Sequence, residues 1–420
     1  MKSLRPRFVA ASSLLAAGLR TLRHPPPANV AALDALRSAA ILLVVFHHWA
    51  IKEYALAGGA PSAAQNNPVL YYGWTGVDLF FVLSGYLIGR QLWRELHETG
   101  GIRVGRFLLR RGLRIWPIYF VILAYYAVFS ANVHPGWPDW TFMSNYAYGQ
   151  FTRGWSLSTE EQFYIAVPLL LVLVRRRFSL LGHLWLLLGI EAMVLGNRYL
   201  LIQRFITEGV ALSSPPRQLT DPFHVHMEGL LLGLIIALVA VAKPRLVQPD
   251  VSPRGVSWPG IAVMVTAVAT GFALRWLNGD LFPYLALALI FGGITYWALR
   301  DRSWLSAVLR LPVWYPISRL SYSMYLNHWW VWPRSSEAIV RGVQGITANP
   351  TVVFMVSMLI GTMLSVAIAV VMFVCVEYPF LLLRDKVIFP KSAAKRLPPM
   401  PYVQPERAVH TGTAEQLRHG

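Results

Sequence analysis

Ten apolar stretches, each about as long as a helix needs to cross roughly 30 Å of hydrocarbon, divide this 420-residue chain. They run near Leu33 to Ile51, Tyr71 to Leu92, Leu113 to Ser130, Leu157 to Val174, Leu180 to Tyr199, Val225 to Val241, Trp258 to Leu277, Leu281 to Leu299, Val313 to Trp332 and Val352 to Leu383. Hydrophobic residues make up 55% of the chain and the mean hydropathy is +0.46, more than a water-soluble domain needs to fill its core. The pattern predicts an all-α polytopic membrane protein of about ten transmembrane helices, one of them open to being split or re-entrant. No period of about 20 to 50 residues recurs, which excludes repeat architectures.

The net charge of +18 would suit a nucleic-acid partner, but the basic residues fall in short clusters between the apolar stretches, where topology accounts for them. No nucleic acid is expected. One set of connections is rich in Lys and Arg: the arm up to Arg23, Arg90 to Arg114, Arg175 to Arg177, Lys243 to Arg254, Arg300 to Arg310 and Arg384 to Arg396. The alternating set is sparser, with Lys52, Arg153, the Arg198 to Arg217 loop, Arg275, Arg334 and Arg341. Since positive residues stay cytoplasmic, both termini are placed in the cytosol and the number of spans is even. Residues 1–30 read as a basic, Pro-rich cytoplasmic arm, although Phe8 to Leu19 resembles the core of a signal peptide. Residues 31–385 form the transmembrane domain, and 386–420 a polar tail expected to be disordered. Cys375 is the only cysteine, so no disulfide or thiolate metal site can form within one chain.

An ionisable side chain at membrane depth costs several kcal/mol unless it is paired or faces water, so each one is a candidate for function. Arg37 and His48 are eleven positions apart and return to nearly the same helix face, about 16 Å apart along the axis. Taken alone, the pair is more simply an arginine that snorkels to the headgroups and a satisfied buried histidine, and it is the other intramembrane charges that favour function. Asp78, Glu160, Glu161, His328 and Glu377 lie in other apolar stretches, and they cannot all face lipid. Convergence on a polar cavity would let a carboxylate orient His48 and raise its basicity. Arg106, Arg110, Arg111 and Arg114 form a cationic row that suits either anionic lipid or a bound phosphate such as that of coenzyme A. No phosphate-binding glycine loop, no His-Glu-x-x-His zinc motif and no nucleophile elbow around Ser84 is present, so ATP-driven transport, zinc hydrolysis and lipase chemistry lose support.

Taken in order, six segments resemble the membrane acyltransferase-3 family of bacterial carbohydrate O-acyltransferases. They are Leu33 to Arg37 leading into Phe46-His47-His48, Gly76 to Ile88, Arg110 to Pro117, Trp155 to Tyr164, Ile317 to His328, and Glu377-Tyr378-Pro379. Two residues depart from the family pattern: Asn327, where an aromatic is frequent, and Ser38, where glycine or alanine is usual. The chain resembles the family's membrane module, without the esterase-like domain that longer members append. The resemblance implies an enzyme of the bacterial inner membrane that passes an acyl group, acetyl or longer, from cytosolic acyl-CoA to a hydroxyl of a glycan or glycolipid acceptor, with no metal.

On that reading Arg110, Arg111 and Arg114 hold the CoA phosphates and Arg37 guides the donor inward. His48 acts as general base or accepts the acyl group itself, oriented by Glu160 or Asp78. Trp155, Ser156, Tyr164, Tyr322 and His328 are candidates for contact with the acceptor or its developing oxyanion, as are Ser321 and, in the outer loop, Trp137 and Trp140. Buried Arg, His and Glu also build transport pathways, so a secondary transporter or flippase for a glycan or small polar substrate is the alternative.

Overall fold

The computed structural model describes residues 5–26, 30–58, 67–130, 134–147, 149, 154–175, 179–212, 215–247 and 256–389. Among these residues there is no strand. The main helices are α1 (Arg5–Arg23), α2 (Ala31–Leu56), α3 (Gly76–Thr99), α4 (Val104–Phe129), α5 (Trp155–Val174), α6 (Leu180–Thr207), α7 (Glu228–Ala242), α8 (Trp258–Leu277), α9 (Pro283–Arg300), α10 (Trp314–Gln344) and α11 (Pro350–Met372). Their ends carry local signals. Ser179 and Ser257 each accept a hydrogen bond from the amide three residues on, capping α6 and α8. Asn349 does the same for α11, with Pro350 at the first helical position. Gly100 ends α3 in the left-handed conformation at φ +68°.

Each of the ten apolar stretches is occupied by a helix. Six helices are long and apolar enough to cross a membrane: α2, α4, α5, α6, α8, and α11 continued to Ile388. The other four, α3, α7, α9 and α10, are shorter or more polar, and α7 at 15 residues rises only about 22 Å. α11 does not stop at Met372 but passes through a π-helical turn, Phe373–Glu377, into a short helix over Tyr378–Leu382 and a second π turn, Leu383–Ile388. Pro379 has no amide hydrogen to donate, and the wide turns on either side absorb the break. Pro117 lies inside α4, which runs on to Phe129.

The helices associate through close backbone approach and buried polar ties. A Cβ at Gly85 of α3 would run into the Leu230 carbonyl of α7, so the two backbones touch there, as small residues permit. Trp93 Nε1 donates to the Leu234 carbonyl at 3.2 Å, and the buried pair Arg198–Glu228 at 2.9 Å joins α6 to α7. The two departures from the family pattern also serve packing. Ser38 Oγ donates to the Trp314 carbonyl, and Asn327 and Ser365 exchange hydrogen bonds between α10 and α11.

The N-terminal arm is not merely a polar extension. Most of its described part is α1, which packs Gly18 close to Tyr378 and Val374 and accepts a hydrogen bond from Tyr315 Oη at the Thr21 carbonyl. Residues 27–29 of the arm and the tail from 390 onward lie outside the described residues. The helix ends gather as the charge pattern groups them. Arg106 and Arg110 at the start of α4 reach Phe389 beyond α11, Gly101 lies against Arg175 at the end of α5, and Asp34 near the start of α2 accepts from Ser318 near the start of α10. At the opposite end, Gln344 of α10 donates to the Leu56 carbonyl, and Tyr146 stacks on His224.

Candidate active site

α2, α3, α4, α5 and α10 enclose a cavity of about 100 Å³. Helical periodicity decides which residues reach it. Ser156, Glu160 and Tyr164 recur every fourth position along α5, and Arg111, Arg114 and Ile115 share one side of α4. Arg37 enters from α2, Ser84 from α3, and Ser321, Tyr322 and Tyr325 from α10. Glu160 accepts hydrogen bonds from both Ser84 Oγ and Tyr164 Oη. Three guanidinium groups therefore face one carboxylate that is already engaged. Arg111 donates to Gln91 Oε1 at 3.2 Å, whereas Arg37 and Arg114 make no hydrogen bond or ion pair among the described residues. Like charges held together in so small a space repel, and an anion between them relieves the repulsion.

His48 does not line the cavity. Its Nδ1 lies 3.3 Å from Nε2 of His328, and its ring also meets Trp329, with centroids 4.9 Å apart. His328 is almost wholly buried, and its Nδ1 lies 3.2 Å from the Met324 carbonyl. The next ring along α10 is Tyr325, 5.7 Å from His328, whose hydroxyl shares a 2.5 Å hydrogen bond with Ser156 in the cavity wall. A continuous row of polar side chains thus runs from His48 through His328 and Tyr325 to the cavity. His47, adjacent in sequence, turns the other way and reaches the Leu70 carbonyl at 2.9 Å.

Several expected placements differ. Neither carboxylate proposed to orient His48 bonds it. Asp78 instead holds His226 Nε2 at 2.9 Å, because the face of α3 that carries it turns toward the segment before α7. Glu160 is occupied within the cavity. Trp155 stacks on His226 at 5.1 Å, which takes up a ring face that was a candidate for a sugar. Arg110 shares a face of α4 with Arg106, about 100° of rotation from Arg111 and about 40° from Arg114, and both Arg106 and Arg110 lie over the Phe389 ring at 5.2 Å. The Tyr322 hydroxyl donates to the Ile115 carbonyl at 3.0 Å, tying α10 to α4. Trp137 remains exposed, while Trp140 stacks on Phe120.

Tyr325, Trp329 and His226 were not singled out from the sequence, and Ser84 was considered only as a nucleophile and set aside. Tyr325 carried a usable signal, since Ser321, Tyr325 and His328 follow an i, i+4, i+7 pattern on one face of α10. The pairing of Asp78 with His226 spans 148 positions and left no local trace.

A helical membrane bundle with a cationic internal cavity and an imidazole pair, one member of it buried, defines an enzyme-like or carrier-like class. The family is then fixed by comparison: the acyltransferase-3 model, described as "Acyltransferase domain", matches residues 30–374, and the chain belongs to this family. It is 26% identical over 334 residues to the O-acetyltransferase OatA of Staphylococcus aureus strain NCTC 8325 / PS 47, covering 72% of this chain and 50% of that protein. The O-acetyltransferase OatA of S. aureus strain COL matches with the same identity and coverage. The chain spans about half the length of these relatives. No solved structure matches it.

Proposed function

We propose that this protein is an inner-membrane O-acyltransferase that moves an acyl group, acetyl in the simplest case, from cytosolic acyl-CoA to a hydroxyl of a carbohydrate or glycan acceptor. Membership of the acyltransferase-3 family supports the class, and the matched relatives named as O-acetyltransferases support the bond that is made. The observation that carries the reading for this chain is the cavity where Arg37, Arg111 and Arg114 surround Glu160, joined to His48 through His328 and Tyr325.

The donor fits this arrangement in part. In this reading the thioester arm would enter the cavity while the nucleotide phosphates stay toward the arginine-rich end. Arginine forks match phosphate oxygens in two directions at once. His48 does not line this cavity, so the thioester has to pass beyond it; there the acceptor oxygen attacks the thioester carbonyl while His48 takes its proton. The carbon–sulfur bond breaks and the CoA sulfur leaves as thiolate. Alternatively His48 carries the acyl group in a first step and the acceptor oxygen collects it in a second. In both routes the imidazole gains positive charge, and His328 is the side chain placed to orient it.

The test uses the full chain in vesicles with radiolabelled acetyl-CoA inside and a glycan extract outside. Wild type is expected to label the glycan, and His48→Ala to lose about 10²- to 10⁴-fold of the rate, the range typical of a positioned base. Arg37→Ala is expected to lose transfer as well. Equal labelling by all three proteins overturns the catalytic assignment. Glycan movement without label points to a transporter instead.

A further inference from the structure

A second cleft lies at the arginine-rich end of the bundle, between the ends of α2, α3, α7 and α9 and the turn that follows α7. It measures about 430 Å³, some four times the volume of the cavity described above. The two open on different faces of α3: Ser84, Leu87 and Ile88 look into the first, Tyr86 and Arg90 into the second. One wall of the cleft is aliphatic, with Val241, Val247 and Leu299. That wall is fixed in place. The Arg300 guanidinium donates to the carbonyls of Arg245 and Leu246, and Tyr296 Oη donates to the Leu246 carbonyl at 2.6 Å, so the turn carrying Val247 is pinned to α9.

The other wall holds donors that lack acceptors. Arg90 and Arg302 line the cleft, and among the described residues neither side chain makes a hydrogen bond or an ion pair. The Tyr86 hydroxyl beside them likewise has no hydrogen-bond partner among those residues. Glu98 also lines the cleft but is paired with Arg94 at 3.4 Å. Two guanidinium groups and a phenol around one opening suit a phosphate oxyanion, which takes arginine forks and a hydroxyl donor together. Phosphate reaches such a place from a lipid headgroup or from a nucleotide. The aliphatic wall favours the lipid, because glycerol and acyl chains need apolar contact. Tyr86 and His97 are the aromatic rings that line the cleft among the described residues, so a base has a ring to meet and it is the aliphatic wall that carries the preference for lipid. An acyl donor bound here would also have its thioester on the wrong face of α3.

We propose that this cleft binds an anionic phospholipid, its phosphate between Arg90, Arg302 and Tyr86 and its chains along Val241, Val247 and Leu299. The site lies outside the transfer reaction and does not depend on it. The bound lipid would bridge α3 and the end of α9, whose Arg90 and Arg302 otherwise face one opening without an acceptor.

The test purifies the full chain from vesicles of equal parts phosphatidylglycerol and phosphatidylcholine and counts retained lipid by native mass spectrometry. Wild type is expected to retain phosphatidylglycerol preferentially, and the double variant R90Q/R302Q to lower that retention on the order of thirtyfold, about fivefold per arginine. If the double variant does not accumulate, Tyr86→Phe keeps the buried ring, removes the hydroxyl, and is expected to lower retention severalfold. No preference between the lipids in wild type overturns the proposal, as does unchanged retention in the variants. A parallel titration with adenosine 3′,5′-bisphosphate separates the sources. If R90Q/R302Q weakens that titration and leaves phosphatidylglycerol retention intact, the cleft is a nucleotide site and the lipid assignment falls.

Discussion

A carbonyl oxygen accepts hydrogen bonds and cannot donate them, and this fact orders the two imidazoles at the centre of the proposed mechanism. His328 Nδ1 faces the Met324 carbonyl, so it carries the proton. In the neutral ring His328 Nε2 is then an acceptor, and the partner 3.3 Å away, His48 Nδ1, must donate. The lone pair of His48 falls on Nε2, the atom that has to act as base or nucleophile. In the proposed mechanism His328, rather than Asp78 or Glu160 as expected, would hold the tautomer of His48. His328→Leu removes that acceptor and is expected to lower kcat about 10- to 100-fold with KM for acetyl-CoA nearly unchanged, the scale seen when a histidine loses its orienting partner. His328→Gln presents an amide oxygen near the position of Nε2 and is expected to recover part of the loss. Steady-state kinetics on both variants checks this, and a Gln variant no better than Leu would argue for a purely structural role.

Among the elements, α3 and α7 illustrate how a helix pair too polar or too short to look like a span is held inside a bundle. Their contact depends on absent side chains, so its strength can be probed by adding one. Gly85→Ala places a methyl against the Leu230 carbonyl, backbone against which no rotamer can yield, and is expected to cost about 1–3 kcal/mol, the usual scale of overpacking. Gly189 of α6 has nothing within 4 Å of the corresponding position, so Gly189→Ala is expected to be neutral or to stabilise by up to about 1 kcal/mol through helix propensity. Thermal unfolding of both variants in detergent decides the matter. The sequence reported these elements unevenly for the same reason. Apolar length located α2 to α11, of which six are long and apolar enough to cross a membrane, and the separately named candidates Ser156, Glu160 and Tyr164 prove to share the cavity face of α5. Arg110 was grouped with Arg114 because one turn separates them, yet the last 40° of rotation sends one to Phe389 and the other into the cavity. Contacts such as Asp78 with His226, or α1 against Tyr378, join segments remote in sequence and have no periodic signature to betray them.

For the whole molecule, two independent patterns agree. Lys and Arg alternate between rich and poor connections along the chain, and the fold gathers the rich ones at one end, where Arg106 and Arg110 meet Phe389, Gly101 meets Arg175, and the second cleft brings Val30, Arg90 and Arg302 together. A bundle inserted with that end outside would have to translocate the short, highly charged loops that the insertion machinery retains. The arginine-rich end is therefore expected to face the cytosol, which is also where an acyl-CoA donor would meet Arg111 and Arg114. Single cysteines placed in a Cys375→Ser background test this. Glu98→Cys, near the end of α3, is expected to react with a membrane-impermeant maleimide only in inverted vesicles, and Glu208→Cys, just beyond α6, only in intact spheroplasts. Labelling of both from one side would break the alternation on which the topology rests. Exchanged sidedness would keep the fold but place Arg37, Arg111 and Arg114 toward the wrong compartment for a cytosolic donor, and the proposed direction of acyl transfer would have to be abandoned.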